Sequence, residues 1–386
     1  MTELSPAVSL TRDLIRCPSV TPVDAGALDV VERTLKSVGF ETHRLPFTQD
    51  GTPDVDNLFA KIGSCAPHLV FAGHTDVVPT GDLARWRCDP FEPEFNDGRI
   101  YGRGASDMKG AIAAFMAASL AYIERHGPPK GTISFLITGD EEGPSINGTV
   151  KMLDWARARG EKFDHAIVGE PTNVSALGDT IKIGRRGSLN GRIRVLGKQG
   201  HVAYPHRAAN PAPVIARIVA AISAHEFDRG TAHFDRTNLE VSSIDVGNAA
   251  VNVIPGEARA QFNVRFNDSW TLETLRERIS AVVKEAAGEA TVELEFLPSN
   301  AVSFITHPGD FTELVASAVK DVTGLTPELS TSGGTSDARF ITRDCPVVEF
   351  GLTNETIHAI DENARVADID ALAAVYLRIL ESYFAR

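Results

Sequence analysis

Two different rhythms of secondary structure run along this sequence, and together they predict an α/β fold with a smaller α+β domain set into it. Over residues 1–186 and 298–386, short β-branched runs alternate with helical patterns, which predicts a mixed, mostly parallel sheet covered by helices. Over residues 187–297 the order becomes β-α-β-β-α-β, that of a ferredoxin-like sandwich. A chain of 386 residues is long enough to build two separate cores.

In the first rhythm, Ser5 can cap a helix that opens on Pro6, where the missing N–H costs least, and runs to Arg16. An amphipathic helix over 28–38 ends at Gly39. Strands are predicted at 58–62, 69–72, 133–138, 166–168 and 347–350, with helices at 108–126 and 149–159. In the second rhythm, residues 189–196 alternate apolar and polar as a half-exposed strand does. A helix at 211–225, strands at 238–246 and 258–266, a helix at 271–287 and the strand TVELEFL at 291–297 follow. The α/β pattern resumes at 310–323, so the smaller domain is read as an insertion into the larger.

Composition removes several classes of function. A net charge of −13 without any cluster of Lys or Arg argues against a nucleic-acid partner. The stretch 1–20 has no basic segment followed by an apolar core, so no secretory signal is expected. The longest apolar run, 111–122, is too short to span a bilayer, and no membrane partner is expected. The cysteines Cys17, Cys65, Cys88 and Cys345 lie far apart with no CxxC pair. Neither a disulfide framework nor a zinc knuckle is expected, and the cytoplasm is the expected compartment.

The informative feature is where acids and histidines fall. LVFAG ends in His74-Thr75-Asp76, TISFLIT in Gly139-Asp140-Glu141-Glu142, HAIVG in Glu170, and PVVEFG is followed after a short loop by His358. Ligands of open α/β sheets bind beyond the carboxyl ends of strands, and here those ends bring His, Glu, Glu and His together. Asp107, after the turn Gly102-Arg103-Gly104, stands at the start of an Ala-rich helix; taken alone it reads as an N-cap. Two histidines and three carboxylates suit a pair of zinc ions with one carboxylate bridging. Two Zn²⁺ carry +4 against −3 from Asp107, Glu142 and Glu170, so an anionic substrate is not repelled. Asp76 is spaced to accept the far ring N–H of His74. Adjacent Glu141 and Glu142 point in different directions in a loop, so one can hold metal while the other takes a proton from water. His43, His68, His126, His165, His225, His233 and His307 read as surface, packing or loop residues.

GHTDVVP (73–79), YGRGASDMKG (101–110), TGDEEGPSINGT (138–149) and GEPT (169–172) closely resemble the co-catalytic zinc metallopeptidase and deacylase family. That family includes acetylornithine deacetylase, carboxypeptidase G-type enzymes and desuccinylases, and the resemblance covers nearly the whole chain. It implies that His74 and Glu170 hold one zinc, Glu142 and His358 the other, and that Asp107 bridges them. It implies Glu141 as general base, Asp76 as the partner of His74, Co²⁺ as a possible substitute for zinc, and a cis peptide between Asp107 and Met108.

GRRGSLNG (184–191), QGHVAYPHRAANP (199–211), NVIPGEARAQFNVRF (252–266), STSGGTSDARF (330–340) and GLTNETIHAIDENARV (351–366) resemble the desuccinylase branch in particular. That resemblance implies hydrolysis of an N-succinyl-diaminopimelate, with carboxylates at both ends, so the pocket needs guanidinium forks and neutral donors. Arg185 and Arg265 suit the first need; Ser188, Asn252, Gly334, Thr335 and Asn354 are the neutral contacts by resemblance. Read alone, Arg265 in QFNVRF is equally an ordinary solvent-facing charge. His201 could pack in a turn, close over its own site or reach a partner's. The resemblance favours the last, with the inserted domain pairing two subunits into a homodimer. The rival substrate reading is an acetylornithine deacetylase or another acyl-amino-acid deacylase. A non-catalytic binding module would be expected to lack the base or some ligands, and every one is present.

Overall fold

The protein is described here by a computed structural model over residues 4–385, so the first three residues of the 1–20 stretch lie outside it. Two compact units divide the chain: residues 4–183, 306–330 and 336–385 form the first, and 184–305 with 331–335 form the second. Residues 184–186, 298–305 and 331–335 therefore group with the second unit, where the sequence boundaries put them in the first. The stems of the insertion meet, since the Thr306 amide donates to the Ile183 carbonyl at 2.6 Å.

The first unit carries an eight-stranded mixed sheet. Its strand order is Glu41–Arg44, Leu58–Gly63, Thr132–Thr138, His68–His74, His165–Val168, Val347–Glu349, Thr180–Lys182, Glu328–Ser330. The third to sixth strands in that order run parallel to one another. Thr132–Thr138 and His68–His74 are buried along their full length, as expected of central strands covered on both faces. Phe71, Phe115, Phe135 and Tyr376 pack edge-on or stacked and knit this sheet to helices Gly110–His126 and Val366–Phe384. The Ser5 cap is present: its hydroxyl accepts from the Val8 amide at the head of Pro6–Ile15. Gly39, at φ 94°, follows the second helix, Ala27–Lys36. Among the described residues no helix is long and apolar enough to cross a membrane.

The second unit has a four-stranded antiparallel sheet in the order Asn238–Asp245, Glu257–Phe266, Gly187–Leu196, Thr291–Phe296. In chain order the first strand lies between the third and the fourth, which is the ferredoxin-like arrangement read from the sequence. Helices Ala212–Ala224 and Leu272–Ala287 supply Ile215, Ile218, Ile222, Leu275, Ile279 and Val283 to one core with the sheet's inner face. Gly191 sits opposite Phe262 on that face, and the ring lies over it so closely that a Cβ would collide with the ring carbons. Gly191→Ala should therefore overpack this core and lower stability by about 1–3 kcal/mol. Urea unfolding of the variant would show a lower midpoint with an unchanged slope; an unchanged midpoint would contradict the packing described.

Candidate metal centre

Four neighbouring parallel strands end side by side, and each end carries one group of the candidate set. Thr132–Thr138 leads to Glu141 and Glu142, His68–His74 ends on His74, His165–Val168 leads to Glu170, and Val347–Glu349 leads through a loop to His358. Asp107 comes from the turn before helix Gly110–His126. It approaches because Gly73 and Gly169, each one residue before a candidate ligand, leave room for the Met108 methyl. A Cβ at either glycine would meet that methyl within 2.7 Å. The Asp107–Met108 peptide is cis.

The two Asp107 oxygens face different imidazoles. Oδ1 lies 3.2 Å from His74 Nε2, and Oδ2 lies 3.3 Å from His358 Nε2. Glu170 Oε1 is 3.7 Å from His74 Nε2, and Glu142 Oε1 is 2.9 Å from His358 Nε2. One ligand atom each of His74, Asp107 and Glu142 lie within 4.8 Å of one another, as do those of His74, Glu141 and Glu170. Glu141 thus stands on the His74 and Glu170 side of Asp107. His74 is 1% exposed, whereas His358 is 49% exposed on a loop with left-handed backbone at φ 58°.

So many acids in so little water distort one another's protonation. Burial, then the charge of Glu170, holds the Glu141 carboxyl well above the usual carboxylate range. Burial alone would depress His74, but the carboxylates of Asp107, Glu141 and Glu170 outweigh it and raise the imidazole well above its ordinary value. Hydrogen bonds to Asp107 and Glu142 push His358 up to about 10. Asp107 is itself buried, yet the two imidazoles hold its carboxyl below the ordinary range. This is a site short of positive charge. Its donors are imidazole nitrogens and carboxylate oxygens, the set that suits zinc and similar divalent ions. Asp107 Oδ1 is also buried without a hydrogen bond of its own, which fits an atom shaped to face a cation.

Asp76 is placed otherwise than its spacing predicts. His74 Nδ1 bonds the main-chain carbonyl of Asp76 at 2.9 Å, while the carboxylate stands 3.7 Å away. The carboxylate instead accepts the Glu141 amide at 3.3 Å and the Glu142 amide at 3.1 Å, so it holds the two adjacent glutamates. The carbonyl orients the ring because the chain turns after His74 and carries the side chain toward the neighbouring strand. Asp140 does similar work unnoticed in the sequence: its carboxylate accepts the amides of Ser145, Ile146 and Asn147 at 3.2, 2.8 and 2.7 Å.

The remaining sequence candidates, Asn354 apart, lie in the second unit. Ser188 and Arg265 are direct partners on adjacent strands, on the sheet face away from the helices. Burial, then the nearby charge of Arg186, depresses the Arg265 guanidinium, and no carboxylate among the described residues pairs with it. Arg185 is buried, and a Cβ on Gly333 would come within 2.7 Å of its Nη1. Gly334 follows, then Thr335, whose hydroxyl is buried without a hydrogen-bond partner. Asn252 is exposed, and its carbonyl accepts the Val202 amide at 3.2 Å. His201 is exposed and accepts the Ala203 amide on Nδ1 at 3.1 Å, which puts its proton on Nε2. Asn354 lies in the first unit between strand Val347–Glu349 and His358, with its amide bonded to the Asn173 carbonyl at 2.8 Å.

The profile of peptidase family M20/M25/M40 matches residues 70–382. A protein of Beijerinckia indica named succinyl-diaminopimelate desuccinylase is 59% identical over 378 residues, 98% of this chain and 99% of that one. A Rhodopseudomonas palustris protein of the same name is 57% identical over 387 residues, covering all of both chains. Among solved structures, a tripeptidase of Staphylococcus aureus matches with a TM-score of 0.82 at 20% identity, over 99% of this chain and 98% of that one. A Bacillus subtilis protein described as a dinuclear metal binding peptidase from M20 family matches with a TM-score of 0.71 at 16% identity, over 98% of each chain. These two structural likenesses concern the fold.

The Asp140 clasp makes a stability prediction. Asp140→Ala should leave three amides of the 145–147 loop without their acceptor and lower stability by about 2–4 kcal/mol. Denaturant titration measures the loss, and limited proteolysis should find new cleavage near residues 143–147; an unaltered digestion pattern would contradict this account.

Proposed function

This chain belongs to peptidase family M20/M25/M40, and from that premise we propose that it hydrolyses the amide of N-succinyl-L,L-2,6-diaminopimelate, releasing succinate and L,L-2,6-diaminopimelate. The substrate follows the name carried by relatives 57–59% identical over nearly the whole chain. Two Zn²⁺ per subunit, replaceable by Co²⁺, would be held by His74 with Glu170 and by Glu142 with His358, with Asp107 between them. One observation carries this reading: the two oxygens of Asp107 face two different imidazoles. When bound, such ions lower the pKa of water to about 7 and polarise an amide carbonyl.

The chain's own residues do the rest. Glu141 takes the proton of the attacking water and passes it to the leaving nitrogen. Asp76 keeps Glu141 and Glu142 divided between their two tasks by holding both amides. Arg185 and Arg265 bind substrate carboxylates, with Ser188, Asn252, Gly334, Thr335 and Asn354 as neutral contacts. A partly buried Arg265 that pairs with no carboxylate among the described residues supports an anionic acyl group, which an acetyl group would not satisfy. His201 donates Nε2–H to the carbonyl oxygen as negative charge grows there, a contribution worth roughly 10²–10³ in rate. It does so in the active site of a second subunit. The unpaired edge strand Asn238–Asp245, with Ile244 exposed, supports a homodimer built through the second unit. Four free thiols suit a cytoplasmic enzyme.

A panel of N-succinyl and N-acetyl amino acids, assayed before and after chelation, tests the reaction. Succinyl-diaminopimelate should be preferred, and activity should need added Zn²⁺ or Co²⁺. Arg265→Ala should weaken transition-state binding of the succinyl substrate by about 2–5 kcal/mol and affect acetyl substrates less. Preference for acetylornithine, or equal losses on both classes, would overturn the substrate assignment.

The trans role of His201 is tested by mixing two inactive proteins, His201→Ala and Glu141→Gln. Subunit exchange should yield mixed dimers with one complete site and partial recovery of activity. No recovery after exchange has been confirmed by mass would confine His201 to its own chain.

A further inference from the structure

The turn that delivers Asp107 is held by a carboxylate from the far end of the chain. Glu362 Oε2 accepts from Arg103 Nη1 at 2.8 Å and from the Gly104 amide at 3.0 Å. Its Oε1 accepts from the amides of Ser106 and Asp107, both at 3.0 Å. Arg103 is 2% exposed and Glu362 1%, and the Arg103 guanidinium also bonds the Ala359 and Pro79 carbonyls at 3.2 Å. Four donors satisfy a carboxylate's acceptor capacity completely.

A buried ion pair is a weak device for stability alone, because well-packed apolar residues of similar volume often do as well. Here the geometry serves a more particular end. Three of the four donors are main-chain amides of the turn that ends in Asp107. The same turn is tied to the loop bearing His358 by two further bonds, Gly102 amide to Glu362 carbonyl at 2.9 Å and Ser106 hydroxyl to Thr353 carbonyl at 2.5 Å. Glu362 stands four residues after His358, so one carboxylate registers both sides of the Asp107–His358 contact.

We propose that Glu362 is a positioning residue for the metal centre: through the amides of Gly104, Ser106 and Asp107 it fixes Asp107 where each oxygen can face a different cation. The proposal rests on Asp107 being a metal ligand.

Glu362→Gln, Glu362→Asp and Arg103→Met test it, each as full-length protein. Zn²⁺ affinity is read by competition with a chromogenic chelator, and site geometry by the visible spectrum of bound Co²⁺. Near-UV circular dichroism and thermal melting report the fold. Glu362→Gln should weaken metal binding about 10–100-fold and shift the cobalt bands, and Glu362→Asp should recover part of the loss. Arg103→Met removes the ion pair but leaves the three amides donating to Glu362, so it should lower Tm while keeping metal affinity within about threefold. A folded Glu362→Gln with wild-type affinity and cobalt spectrum overturns the proposal, as does an equal loss of affinity in Arg103→Met. If Glu362→Gln does not fold, Glu362→Asp decides: affinity below that of Arg103→Met supports the proposal, and wild-type affinity overturns it. Asp107→Asn with undiminished metal binding would instead remove the ligand reading beneath it, whatever Glu362 does.

Discussion

The constraint on which the candidate centre depends is electrostatic: five carboxylates, Asp76, Asp107, Glu141, Glu142 and Glu170, must be kept beside two imidazoles although they repel one another. Side-chain packing cannot do this, since apolar contacts are non-directional and burial itself penalises the charges. The fold uses main-chain amides instead. Asp76 accepts the amides of Glu141 and Glu142, Asp140 closes the loop that follows them, and Glu362 accepts three amides around Asp107. Each clasp satisfies a buried negative charge with fixed dipoles and, in the same act, sets the backbone from which a candidate ligand projects.

The sheet makes these clasps possible. Strand order places Thr132–Thr138, His68–His74, His165–Val168 and Val347–Glu349 side by side and parallel. Four loops therefore converge at one end, although their residues are spread from 74 to 358 in the chain. Gly73 and Gly169 complete the arrangement by letting the Asp107 turn settle against the strand ends. The second unit is organised on different terms, by cross-strand pairs and a helix-covered core. Its open sheet face carries Ser188 and Arg265, placed by alternation along the strands.

Much of this was legible in the sequence because every candidate ligand except Asp107 follows a hydrophobic run, and such runs reveal both the strand and its direction. The ferredoxin-like order was legible for the same reason: its strands are long enough to show a period of two. Short strands such as Glu41–Arg44, Thr180–Lys182 and Glu328–Ser330 hold too few residues for a period, and the sequence elements omit them. They omit the C-terminal helix Val366–Phe384 too, although its apolar face is well marked. The roles of Asp76 and Glu362 were not legible for a deeper reason. Spacing finds the partner two residues away, but the bonds that matter join Asp76 to 141–142 and Glu362 to 103–107, and only the folded chain brings those segments together.

On the proposed reading an acidic chain takes a dianionic substrate, and local rather than net charge decides whether the two repel. Net charge acts at a distance and is screened within about 8–10 Å at physiological salt, so −13 spread over the surface says little about one pocket. What an incoming carboxylate meets is decided within a few ångströms. On the proposed reading, two dications turn three ligand carboxylates from a repelling cluster into a site of slight positive charge. Arg265 of the second unit, partly buried and paired with no carboxylate among the described residues, is the proposed partner of a substrate carboxylate. On that proposal, the first unit concentrates negative charge to hold metal, and the second keeps an arginine clear of carboxylates to hold substrate.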